Sequence, residues 1–109
     1  MVDMIEYATK MARRAYEHHD FIEAVRWFRV IVPNCDQKTC FVAGLCAFLA
    51  NDKETARKWL SRSNTSGSAY FMSVLLYQDG RFEEARKYLI DAGLIDNDLY
   101  LLLDRSVVN

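Results

Sequence analysis

Proline occurs once and glycine four times in 109 residues. A β-sandwich or barrel turns tightly every few residues and draws on both. This chain is poorly supplied for one, and well supplied for helices joined by short links. Charge of one sign is lacking too: 14 Lys and Arg stand against 15 Asp and Glu, a formal net charge of −1. That balance gives no electrostatic reason to expect nucleic acid or an anionic membrane surface as a partner. Long apolar runs are absent, and none approaches the roughly 20 residues that span a bilayer. Near the start, Asp3, Glu6, Lys10, Arg13 and Arg14 interrupt the apolar residues, where a secretory signal needs an unbroken apolar stretch. The expectation is a chain with no membrane and no nucleic-acid partner, nuclear or cytoplasmic.

The residue types that carry chemistry are equally sparse. Cys35, Cys40 and Cys46 follow neither Cys-x-x-Cys nor a zinc-ligand spacing, and in a reducing compartment they read as small hydrophobes. Histidine occurs only as His18-His19, inside a polar turn, without the helical spacing that binds zinc. Asn64-Thr65-Ser66 matches a glycosylation acceptor, which is idle without a secretory signal. The basic pairs Arg13-Arg14, Arg57-Lys58 and Arg86-Lys87 have acids nearby and read as solvated helix faces. Catalysis requires an activated group beside a base or metal. None is visible, so the expectation is no enzyme, no cofactor and no metal site.

What is present is helical periodicity. Met4, Ile5, Ala8, Met11, Ala12 and Ala15 recur at spacings of three and four, and Phe21, Ala24, Val25, Phe28 and Val32 repeat the pattern. Asp20 is placed as an N-cap with Glu23 three residues on, and Pro33-Asn34 stops the helix. Segment 38–50 is nearly continuous in apolar residues, which implies a helix covered on several sides. A further helix is predicted from Lys53 to Leu60. Residues 61–68 read as a loop by composition, and helices follow at 69–78 and 82–92, the last ended by Gly93.

The helices come in similar pairs. Each pair carries an aromatic residue at the end of its first helix (Tyr16, Phe48, Tyr77), a polar turn, and then an alanine (Ala24, Ala56, Ala85). Twelve residues before each alanine stands a small residue: Ala12, Gly44 or Ser73. Four after it comes Phe28, Leu60 or Leu89. Small residues at these places let neighbouring helices approach, because packed interiors have no slack for larger ones. The arrangement is similar to the tetratricopeptide pattern. Gly80 and Phe82 match its turn glycine and following aromatic, whereas His19 and Asn51 replace the glycine in the first two pairs. The alanine spacings, 32 and 29 residues, fall below the roughly 34 of that repeat. The fold expected is all-α, a right-handed superhelical stack of antiparallel helix pairs forming one domain. Repeats are placed at about 3–34, 37–63 and 67–93, with a C-terminal helix at about 96–107 that caps the stack or begins a fourth repeat.

In such a stack the first helix of each pair lines a groove. The corresponding residues are Glu6, Thr9, Arg13, Tyr16 and Glu17, then Lys38, Phe41, Leu45, Phe48 and Leu49, then Gly67, Tyr70, Val74, Tyr77 and Gln78. Phe41, Leu45, Phe48, Leu49, Tyr70, Val74 and Tyr77 make this groove apolar, and an apolar face of that size marks a partner site unless the chain fills it itself. The first helix is a candidate occupant from a second copy, since Met4, Ile5, Tyr7, Ala8, Met11 and Ala12 exceed what one packing face needs. Chaperone-tail adaptors carry Lys and Asn at groove positions that hold Thr9, Arg13, Val42, Gly67 and Phe71 here, a poor match. A monomeric adaptor or chaperone for a foreign apolar peptide stays open.

Residues from His18-His19-Asp20-Phe21-Ile22-Glu23-Ala24-Val25, through Phe41-Val42-Ala43-Gly44-Leu45-Cys46-Ala47-Phe48 and Ala56-Arg57-Lys58-Trp59-Leu60, to Glu84-Ala85-Arg86-Lys87-Tyr88-Leu89 carry a further resemblance. This stretch resembles the N-terminal region of the tetratricopeptide scaffold subunits of the anaphase-promoting complex, most of all the cell-division-cycle twenty-seven type. The resemblance implies a homodimerising N-terminal domain of a longer superhelix. It also implies service as a scaffold in a cell-cycle ubiquitin ligase active in mitosis and cell division, among other subunits of that assembly.

Overall fold

The computed structural model describes residues 3–94. Within them lie six α-helices and no strand: α1 (Met4–Glu17), α2 (Phe21–Ile31), α3 (Gln37–Leu49), α4 (Lys53–Leu60), α5 (Ser66–Gln78) and α6 (Phe82–Asp91). A single 3-10 turn, Val32–Asn34, joins α2 to α3 and contains Pro33. The C-terminal helix expected at about 96–107 lies outside the described residues.

Five of the six helix starts carry a side-chain cap, and α6 begins after Arg81 without one. A side-chain oxygen of Asp3, Asp20, Asp36, Asp52 or Thr65 accepts a hydrogen bond from the backbone N–H of Ile5, Glu23, Thr39, Thr55 or Ser68, respectively. Such a cap contributes about 1 kcal/mol by satisfying an amide that has no partner within its helix. The Thr65 cap corrects the expected loop over 61–68. Ser66, Gly67 and Ser68 are the first turn of α5, where their poor intrinsic helix propensity is offset by the cap. At Asp20 the capping carboxylate is in place, but Glu23 does not reach back to complete a reciprocal box. Its side chain instead accepts hydrogen bonds from Trp27 Nε1 and Arg26.

The turn inside every helix pair is the same. His19, Asn51 and Gly80 have φ of 58°, 62° and 79°. The next backbone N–H then reaches back five residues: Asp20 to Ala15 O (2.8 Å), Asp52 to Ala47 O (2.9 Å) and Arg81 to Leu76 O (2.9 Å). This left-handed C-terminal cap satisfies carbonyls that would otherwise be orphaned and aims the chain straight into the next helix. The replacements of glycine by His19 and Asn51 therefore leave the backbone unchanged.

Helix α1 packs on α2, α3 on α4, and α5 on α6, and the three hairpins are joined where α2 meets α3, α4 meets α5, and α3 meets α5. The small residues are where close approach requires them. Ala12, Ala24, Gly44, Ala56, Ser73 and Ala85 are all buried. Gly44 shows the constraint most directly, because a Cβ built on it would lie 2.6 Å from Leu60 Cγ and 3.1 Å from the Leu60 backbone nitrogen. Leu60 itself is fully buried. Ion pairs fasten the hairpins at their edges, Arg29 of α2 to Asp52 (3.5 Å) and Arg57 of α4 to Asp79.

Two substitutions check these constraints. Gly44→Ala should destabilise the fold by about 1–3 kcal/mol through overpacking, although alanine is the better helix former by about 1 kcal/mol. Urea unfolding reads this as a lower midpoint, and an unchanged or higher midpoint would contradict the packing. Gly80→Ala should cost about 1–2 kcal/mol. Nothing lies within 4 Å of the added methyl, so the whole effect comes from the left-handed backbone.

Candidate functional site

The residues expected to line an apolar groove divide into two sets. Phe41, Leu45, Phe48 and Val74 are half-buried. Phe71 brings the aromatic ones together: its ring centroid is 5.2 Å from Phe48 and 6.2 Å from Phe41. The Phe41 ring also lies against Gly67, where a Cβ would come within 2.6 Å of Cζ. These contacts close α3 onto α5, and such aromatic pairs contribute about 0.5–1.5 kcal/mol each beyond the area they bury. The other set remains outside. Leu49, Tyr70 and Tyr77 are 48, 52 and 65% exposed, and Tyr77 leans edge-on against Phe82, itself 51% exposed, at 4.8 Å.

The first helix divides in the same way. Ala8 and Ala12 are buried in the chain's own core and Met11 is half-buried, so these three serve the first hairpin itself. Met4, Ile5 and Tyr7 are 62, 40 and 43% exposed. Tyr7 has one edge on Trp27 at 5.5 Å.

Between α1 and α3 the stack is open. A cleft of about 430 Å³ runs there, with Phe28 and Ile31 of α2 and Val42 of α3 as apolar lining. Thr9, Arg13, Tyr16 and Glu17 form the α1 wall, and Lys38 and Thr39 the α3 side. The contrast with the closed α3–α5 seam follows from residue type. Phe41 and Phe48 on α3 interdigitate with Phe71, whereas α1 presents Thr9 and Arg13, which are too short or too strongly hydrated to fill the gap. The sequence pattern identified the α1 wall residues but put the apolar opening farther along the chain. Phe28, Ile31 and Val42 were missed as lining because they look like ordinary core positions, and Phe71 was missed as the closing residue.

His18 and His19 are exposed, and His19 stacks on Phe21 with ring centroids 5.9 Å apart. Among the described residues no three His, Cys, Asp or Glu side chains gather as a metal site requires. The cysteines are free thiols. Burial, together with a hydrogen bond to Cys40, pushes the Cys35 thiol up to about 12, and burial pushes Cys46 to about 11. Since the thiolate is the nucleophile, both shifts disfavour reaction at neutral pH. Hydrogen bonds from the Thr39 side chain and backbone hold the Asp36 carboxyl below the usual range, as suits a helix cap. No helix among the described residues is long and apolar enough to cross a membrane.

No known protein-family pattern and no curated protein sequence matches the chain.

Cys46 should resist alkylation by iodoacetamide at pH 7.5 in the native chain and react rapidly once urea unfolds it. Mass spectrometry of the labelled peptides measures the ratio, and equal rates in the two states would show that the thiol is neither buried nor raised.

Proposed function

We propose that the chain is a protein–protein assembly module that pairs with a second copy of itself and takes no part in catalysis. The observation that carries this reading is the unfinished first hairpin. Met4, Ile5 and Tyr7 stand exposed at the start of α1, and Ile5 and Tyr7 share a surface with Thr9 and Arg13, which wall an open cleft with an apolar floor. An α1 from a second copy would cover both at once, and a twofold axis would satisfy both copies with one kind of contact. Burying a side chain such as Ile5 or Met4 yields roughly 1.5–3 kcal/mol, so the gain is substantial on each side. The exposed row of Leu49, Tyr70 and Tyr77 then remains for other subunits of a multiprotein complex.

We read the three hairpins as a tetratricopeptide stack with a right-handed superhelical sense. The repeated left-handed turn and the small residue at each helix approach support that reading. The resemblance of residues 16–90 supports placing the module at the N-terminus of a scaffold subunit of the anaphase-promoting complex. It would then act in cell-cycle control, in the nucleus or cytoplasm. A second reading, a monomeric adaptor that holds a foreign apolar peptide, is supported by the same cleft between α1 and α3, whose volume is within the range of ligand pockets.

Sedimentation equilibrium of the 109-residue chain across a range of concentrations should show a dimer that persists on dilution. Met4→Ser with Ile5→Ser should shift it toward monomer while changing the unfolding free energy by no more than about 0.5 kcal/mol, because both side chains are at the surface. A wild-type chain that stays monomeric throughout would move the adaptor reading to first place.

A further inference from the structure

Helix α1 is electrically lopsided. Asp3 caps it and Glu6 is in its first turn, while Lys10 follows at its middle and Arg13 and Arg14 in its second half, ahead of Glu17. None of these side chains forms an ion pair among the described residues. The layout favours the helix dipole, but it leaves both signs of charge facing water at separate ends of one surface. Ile5, Thr9, Arg13 and Tyr16 share a face of the helix by their spacing. Thr9, Arg13 and Tyr16 line the cleft, and Ile5, Glu6 and Thr9 continue the same surface toward the start of the helix. At its middle, Thr9 is short, and its hydroxyl already donates to the Ile5 carbonyl at 2.7 Å. A second helix can therefore cross there without stranding a polar group.

From this layout we infer that two copies pair through their α1 helices in antiparallel register, centred on Thr9. The Ile5 and Glu6 segment of each then lies beside Arg13 of the other. The inference rests on the self-association proposed above and specifies its geometry. Antiparallel pairing sets Glu6 of one α1 beside Arg13 of the other, twice over by symmetry. A parallel pairing would set acid beside acid and base beside base, which repel. The apolar floor of the cleft supplies attraction, and the charges select the direction.

A charge-reversal cycle followed by sedimentation equilibrium tests the register. Arg13→Glu alone and Glu6→Arg alone should each weaken the dimer at least tenfold, and the swap of both in one chain should recover most of the loss. Arg13→Gln should weaken it less than Arg13→Glu, and added salt should weaken the wild type more than either single variant. Far-UV circular dichroism establishes that each variant is folded. A dimer indifferent to Arg13→Glu and Arg13→Gln, or a swap no better than the singles, overturns the antiparallel register while leaving self-association through another face. A wild-type monomer overturns the self-association itself.

Discussion

The arrangement of this chain depends on how closely the two helices of a hairpin can approach. Gly44 has no room for even one added carbon against Leu60, and Ala12, Ala24, Ala56, Ser73 and Ala85 occupy buried positions along the other helices. A larger side chain at any of these places would separate a helix pair, and a separated pair cannot hold the turn that follows it. The turn itself is fixed by backbone hydrogen bonds, not by glycine. Three residues of different type, His19, Asn51 and Gly80, occupy the same left-handed conformation because the carbonyls behind them have no other partner.

From that approach follows the difference between the two seams of the stack. Where α3 meets α5, Phe41, Phe48 and Phe71 fill the space between helices that the hairpins hold at a set distance. Where α1 faces α3, Thr9 and Arg13 leave it empty. The first hairpin is thus complete along its own axis and incomplete along its side, with exposed Ile5 and Tyr7 on the surface adjoining the gap. An incomplete side with a charged rim is the surface that the proposed association would use.

Much of this was legible in the sequence. Spacing of apolar residues located all six helices, with their starts displaced only where a cap outweighed composition, as Thr65 does for Ser66, Gly67 and Ser68. The alanine and glycine register identified the close approaches. His19 and Asn51 look like departures from the repeat in sequence and are none in structure, since residue type alone does not reveal that hydrogen bonding will enforce a positive φ. The candidate site was harder to read. Which groove residues face water depends on the offset between successive first helices, and that offset is set by the links between hairpins, above all the 3-10 turn at Pro33. Phe41 and Phe48 therefore looked available for a partner when Phe71 already covers them in part.

The central claim, that a second copy completes the side of the first hairpin, is tested most directly by amide hydrogen exchange at low and high protein concentration. Local opening free energies should rise with concentration in α1 and the first turn of α3, and stay constant in α4 and α6. Exchange in α1 that is the same at every concentration would contradict the account.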